Sequence, residues 1–147
     1  TQSKSSAASD VYKRQSILWG DCRCANIMYT SDGKVSAVLD WEMAALGDPC
    51  IDLAWGIAID DCNSKGVHVD RLSGFPGPVA TIAKWEALTG FSAENFDYYY
   101  ILALYKFTVI MVKVVRKLEH YEMMPLGMNA HINNHVTPML EAKLKEL

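Results

Sequence analysis

The sequence lacks an excess of charge of either sign. Its 147 residues include 14 Lys and Arg against 17 Asp and Glu, a net charge of -3, and the basic residues are scattered along the chain. A protein that binds nucleic acid or an anionic membrane surface usually presents a basic patch, and none is visible here. We therefore expect no nucleic acid among its partners.

Long hydrophobic runs are also missing. The most apolar segment, residues 98–115, is interrupted by Lys106 and Lys113. A membrane span needs about 20 predominantly apolar residues, so this segment favours a buried helix. We expect no membrane among the partners either.

Cysteine is scarce, and its spacing excludes two further classes. Cys22, Cys24, Cys50 and Cys62 lack the paired two-residue spacings of zinc sites. No apolar segment of the signal-peptide type precedes them. The sequence therefore predicts reduced thiols in a cytoplasmic protein.

Composition divides the chain into two parts. Residues 1–15 are small, polar and aperiodic, which is typical of a disordered or non-native tail, and they are left out of the fold prediction. From residue 16 onward apolar residues are dense, and a chain with 50% hydrophobic residues can bury a core. We expect residues 16–147 to form one domain.

The apolar pattern predicts short strands followed by helices. Residues 27–29 and 35–39 are apolar or β-branched and flank Asp32-Gly33, a pair typical of hairpin turns, so they should pair antiparallel. Another short strand is expected at residues 17–19. Helices are predicted from Asp48-Pro49 to about residue 59, over 79–89, over 96–122 and over part of 129–147, with a long loop at 60–78. The helix at 96–122 is apolar nearly all round, apart from lysines on one narrow face, so it should be the buried central helix.

Polar groups suited to phosphoryl transfer lie around this hairpin. Asp21 and Asn26 stand at the two ends of the loop before it, and Asp40 follows its second strand. Phosphoryl transfer requires a group that orients the attacking hydroxyl and takes its proton, together with hard oxygen ligands for Mg²⁺. These three side chains are therefore candidates for one site.

The amino-acid sequence of these segments resembles that of the aminoglycoside phosphotransferase family. The spacing of Asp21 and Asn26 matches the kinase catalytic loop, and Asp40 matches its metal-binding aspartate. The segments that carry the resemblance are WGDCRCANIMY, VLDWEMAALGDP and DLAW. They look closest to the branch linked to acyl-CoA dehydrogenases, and they cover residues 17–55.

The resemblance implies a role for each matching residue. Asp21 would be the catalytic base, Asn26 and Asp40 would be Mg²⁺ ligands, and Asp52 would brace the backbone of the catalytic loop. No residue of this chain is assigned to ATP contact. Trp19 departs from the His that usually precedes Gly-Asp in the family, which weakens aminoglycoside as the substrate more than it weakens phosphotransfer.

The resemblance also implies an α+β fold, the C-terminal lobe of a protein-kinase-like protein, mostly helical with the hairpin carrying the site. The N-terminal lobe that closes over ATP would be absent, since neither Gly-x-x-x-x-Gly-Lys nor Gly-x-Gly-x-x-Gly occurs. We expect the chain alone to be inactive.

The implied function is ATP- and Mg²⁺-dependent transfer of a phosphoryl group to a small-molecule hydroxyl. One alternative is a kinase-like nucleotide-binding or interaction module without catalysis. Another is a helical binding protein that matches by coincidence and would lack the hairpin. The identity of the acceptor and the oligomeric state stay open.

Overall fold

The computed structural model describes residues 15–147. The predicted tail, residues 1–15, lies outside this part except for Gln15. In chain order the strands are β1 Ser16–Leu18, β2 Ile27–Tyr29, β3 Val35–Val38 and β4 Ala45–Gly47. The helices are α1 Cys50–Asn63, α2 Pro78–Thr89, α3 Phe96–His120 and α4 Thr137–Leu144, and short 3-10 turns cover Cys24–Asn26 and Lys65–Val67.

The strands form two antiparallel pairs. β2 pairs with β3, with Ile27 opposite Val38, and Gly33 in the turn between them has a φ of 80°. This positive φ is the reason why the turn needs glycine. β1 pairs with β4, with Ile17 opposite Leu46, a pairing that the sequence did not predict because the segment 45–47 is short and carries no turn signal.

Helix α1 is the centre of the core. Nine of its 14 residues are buried, and they pack against Tyr100, Ala103 and Leu104 of α3. The Asp48 carboxylate accepts a hydrogen bond of 2.9 Å from the backbone N–H of Cys50, which satisfies one free donor at the start of the helix. The helix continues to Asn63, four residues beyond the predicted end, and shortens the expected loop accordingly.

The prediction that α3 is the buried central helix is wrong. Only four of its 25 residues are buried, and Tyr105 and Val109 are more than half exposed. A helix of 25 residues is about 38 Å long, whereas the 14 residues of α1 span about 21 Å, so α1 covers only part of α3. Lys106 is also not on a solvent-facing stripe, because its Nζ lies over the Trp55 ring.

By length and composition α3 could cross a membrane. The apolar window within it has a mean hydropathy of 1.5, and 22% of that window is buried. One such helix is weak evidence for a membrane span, because the core helix of a globular domain passes the same test.

Candidate active site

Asp52 fixes the backbone at the start of the candidate catalytic loop. Its Oδ2 accepts a hydrogen bond of 2.6 Å from the Trp19 N–H, and its Oδ1 accepts one of 2.9 Å from the Gly20 N–H. A carboxylate that accepts two backbone N–H groups forms charge-assisted bonds, which are about twice as strong as neutral ones. The predicted bracing role of Asp52 is confirmed.

Gly20 allows a tight turn of the loop close to Met43, which lies in the segment that follows β3. Its φ is 90°, and a Cβ at this position would lie 2.5 Å from the carbonyl oxygen of Met43. Any larger residue would therefore meet both backbone strain and a clash. Because of this turn, the next residue, Asp21, lies beside α1.

The Asp21 carboxylate is held by three side chains. Its Oδ2 accepts hydrogen bonds from Asn26 Nδ2 at 2.8 Å and from Arg23 Nε at 2.9 Å. Its Oδ1 accepts one of 2.9 Å from Trp55 Nε1 on α1. The Asp21 side chain is 15% exposed, so the group is fixed in orientation and still reachable from solvent.

Asn26 lies in contact with Asp21 and next to the chain that leads to Asp40. Its amide nitrogen donates to Asp21, so its amide oxygen points elsewhere and accepts no hydrogen bond from residues 15–147. The Asn26 backbone carbonyl accepts the Leu39 N–H at 2.8 Å. This bond brings the backbone at Asp40 beside the loop.

The Asp40 side chain stays separate from the other two. The residue has a φ of 61°, is exposed, and its carboxylate has no hydrogen-bond or ion-pair partner in the part of the chain that the structure describes. Aspartate tolerates this left-handed conformation better than most residues. Asp21 and Asn26 are thus in direct contact, and Asp40 adjoins them through the backbone of Leu39.

The oxygen atoms available here fit a hard cation. Mg²⁺ prefers carboxylate and amide oxygens and keeps several of its waters, so it needs few protein ligands. The free amide oxygen of Asn26 and the free carboxylate of Asp40 meet that requirement. Within residues 15–147 no cluster of three or more His, Cys, Asp or Glu side chains could hold a metal, so the candidate ligands are an amide and a single carboxylate.

Trp19 ties the loop to the end of the hairpin. Its Nε1 donates a hydrogen bond of 2.7 Å to the Leu39 carbonyl, and its ring lies 6.1 Å from that of Trp41. The indole is 8% exposed. Trp19 therefore holds the backbone immediately before Asp40 without contributing a titratable group.

Cys22 is close to Asp21 but is not a nucleophile. Burial, together with the nearby charge of Asp52, raises the pKa of the Cys22 thiol to about 12, so the thiol stays protonated. The loop approaches α1 closely at this point, because a Cβ on Gly56 would lie 3.0 Å from the Cys22 carbonyl oxygen. All four cysteines are free, as the sequence predicted.

Sequence reasoning missed two of the residues that contact Asp21, namely Trp55 and Arg23. Arg23 was passed over because the loop is aperiodic. The position of Trp55 could have been predicted. It follows Asp52 by three residues on one helix, and residues three apart share a helix face. With Asp52 assigned as the helix residue that braces the loop, Trp55 could have been placed on the same side.

Comparisons with known proteins show what the chain is similar to. The phosphotransferase enzyme family matches residues 5–75. Acyl-CoA dehydrogenase family member 11 of Pongo abelii is 28% identical over 102 residues, an alignment that covers 63% of this chain and 13% of that protein.

A solved structure shares the fold. It is a protein of Ralstonia eutropha whose proposed class is aminoglycoside phosphotransferase, with a TM-score of 0.63 and 20% identity over 89% of this chain and 42% of that one. The chain thus spans less than half the length of either relative. These matches confirm the resemblance of the chain to the aminoglycoside phosphotransferase family, and the solved structure shows that the fold is shared.

Proposed function

We propose that this chain is the C-terminal lobe of a cytoplasmic kinase that transfers the γ-phosphoryl group of ATP to a hydroxyl of a small molecule. The observation that carries the proposal is the Asp21 carboxylate, held by Asn26 and Trp55 at a partly open surface. Since the chain spans 42% of its structural neighbour, the activity is proposed for the natural full-length protein.

In this proposal Asp21 orients the acceptor hydroxyl and takes its proton. A carboxylate oxygen has two lone pairs, and Oδ1 accepts one hydrogen bond, from Trp55, so it can also accept from the substrate while Asn26 and Arg23 hold Oδ2. General-base catalysis of this kind contributes about 10²- to 10⁴-fold to the rate. Asn26 and Asp40 would hold Mg²⁺, which when bound offsets the negative charge of the phosphates.

The loop after α1 is the proposed determinant of the acceptor. Arg71 in this loop forms ion pairs with Asp60 and Asp61 at the C-terminal end of α1. These ion pairs fix the loop to α1, and Trp55 on the same helix contacts Asp21. The other residues of the loop can therefore keep a constant position relative to Asp21. Its sequence does not identify the acceptor, so a panel of hydroxylated compounds is required.

The test measures ADP release by the full-length protein with Mg²⁺, ATP and such a panel. We expect turnover with at least one hydroxyl acceptor. Asp21→Asn should lower kcat by roughly 10²- to 10⁴-fold while leaving the affinity for ATP unchanged. The matched control is Glu141→Gln, which also removes one negative charge but lies exposed on α4.

A second arm tests the metal ligands. Asp40→Asn keeps the backbone conformation, because asparagine also tolerates a positive φ, and it removes the charge. We expect this variant to need a much higher Mg²⁺ concentration for half-maximal rate. ATP binding without turnover of any acceptor would instead favour the inactive nucleotide-binding module.

A further inference from the structure

Trp55 is a buried core residue with one polar atom directed at the candidate site. It is 3% exposed, and its ring packs edge-on against Phe107 of α3 with centroids 6.2 Å apart. Its indole N–H donates to Asp21 Oδ1 at 2.9 Å. A buried indole N–H needs a partner, and this one takes the carboxylate proposed as the base.

A cation lies on the face of the same ring. Lys106 Nζ is 5.0 Å from the Trp55 ring centroid, within the range of a cation–π contact. Among residues 15–147 no carboxylate forms an ion pair with Lys106. The indole thus has an ammonium group on its face and a carboxylate at its edge.

This arrangement strengthens the hydrogen bond to Asp21. A positive charge over the ring draws π-electron density towards itself, so the N–H at the ring edge becomes a better donor. Charge-assisted hydrogen bonds of this type are stronger and more directional than neutral ones. Asp21 Oδ1 is therefore held from the core side, opposite to Asn26 and Arg23.

We propose that Trp55, with Lys106 over its ring, is a positioning residue for Asp21. With Oδ1 held by Trp55 and Oδ2 held by Asn26 and Arg23, the carboxylate plane cannot rotate, and the second lone pair of Oδ1 stays available for the acceptor hydroxyl. This inference rests on the proposed phosphotransfer. Its structural part, the bond between Trp55 and Asp21, can be tested separately from activity.

The first test uses the indole N–H signals in a ¹H–¹⁵N NMR spectrum of the chain. The chain has four tryptophans, and Trp55→Phe assigns its signal by removing it. We expect the Trp55 proton to resonate downfield and to move upfield in Asp21→Asn and, by less, in Lys106→Met. Glu141→Gln should leave it in place. An unchanged position in Asp21→Asn would overturn the proposal.

The second test uses turnover by the full-length protein. Misplacing a catalytic group by a fraction of an ångström to 1 Å costs up to about 10²-fold in rate, so Trp55→Phe should lower kcat roughly 10- to 100-fold with the KM for ATP unchanged. Lys106→Met should lower kcat about two- to fivefold, as expected for a contact of 0.5–1 kcal/mol. Lys106→Met should have no further effect when combined with Trp55→Phe.

A double variant separates positioning from a packing role. If Trp55 acts through Asp21, then Trp55→Phe adds no further loss to Asp21→Asn, whereas a packing defect would lower the residual rate again. Circular dichroism melting of Trp55→Phe checks that the variant folds. An unchanged kcat in folded Trp55→Phe overturns this inference alone, whereas absence of turnover by the unmodified protein overturns the proposed function.

Discussion

The two ends of helix α1 use aspartate in opposite ways. At the N-terminal end Asp52 accepts hydrogen bonds from two backbone N–H groups of the loop. At the C-terminal end Asp61, which is 3% exposed, accepts from Arg71, from Lys65 at 3.1 Å and from the Tyr100 hydroxyl at 2.8 Å. Backbone amides bring no net charge, whereas Arg71 and Lys65 do.

This difference separates the region where a cation is proposed to bind from a region whose carboxylates are already paired with cations. The carboxylates of Asp21 and Asp52 lie at the N-terminal end, where Arg23 forms an ion pair with Asp21 and none of the described ion pairs includes Asp52. At the C-terminal end Asp60 and Asp61 are matched by Arg71 and Lys65. The uncompensated negative charge therefore lies where Mg²⁺ is proposed, and the neutralised cluster serves to fix a loop.

The largest effect is expected from Asp52→Ala. It leaves the backbone N–H groups of Trp19 and Gly20 without their acceptor, and hydrogen bonds to a charged group contribute about 1.5–3 kcal/mol each. We expect the free energy of unfolding to fall by roughly 4 kcal/mol in urea denaturation, with loss of turnover. A loss no larger than that of Glu141→Gln would show that the brace is not needed.

Gly20→Ala should have the next largest effect, about 3 kcal/mol, because strain from the positive φ adds to a clash with the Met43 carbonyl. Gly33→Ala is the matched control: its φ is also positive, 80°, but nothing lies within 4 Å of the added Cβ. We expect about 1 kcal/mol there from backbone strain alone. Equal losses in urea denaturation for both variants would contradict the close approach at Gly20.

Asp61→Asn tests the other end of the helix. The change keeps the size of the side chain and removes the charge that Arg71 and Lys65 share, so we expect a loss of about 2 kcal/mol, less than for a fully buried pair. The KM for the acceptor should rise because the loop is released, and the KM for ATP should not change. If the variant instead needed a higher Mg²⁺ concentration, the two ends of α1 would not have separate roles.

The smallest effect concerns thiol reactivity and leaves stability untouched. Burial raises the pKa of Cys22 near one end of α1 and of Cys62 near the other to about 12, and that of Cys50 to about 11. At pH 8 these groups hold almost no thiolate, the reactive form. A thiol reagent should therefore modify exposed Cys24 first, and Cys24→Ser should remove the fast phase. A fast phase that persists would contradict the burial of the other three.

The contact between Asp21 and Asn26 could be predicted from the sequence because it is local. Asp21 and Asn26 are five residues apart in one loop, and the hairpin turn at Gly33 returns the chain towards Asp40. The role of Asp52 came from the family resemblance, and Asp48 and Pro49 indicated the start of the helix that contains it. Turn and capping residues act over a few positions, so their signals survive in a single sequence.

The packing was less predictable because it depends on distant parts of the chain. An apolar surface on all sides of α3 indicated burial, but the lengths of the neighbouring helices decide how much of it is covered. The contact between Lys106 and Trp55 joins residues 51 positions apart, and the periodicity of neither segment indicates it. The pairing of β1 with β4 likewise depends on the path of the chain after β3.

The left-handed backbone at Asp40 limits how this position can change during evolution. Asparagine and glycine adopt a φ near 61° with little strain, and neither has a charge, whereas glutamate, alanine and β-branched residues would strain the chain beside the Leu39 carbonyl that Trp19 binds. A relative that lacks the negative charge but keeps this backbone conformation should therefore have Asn or Gly at this position.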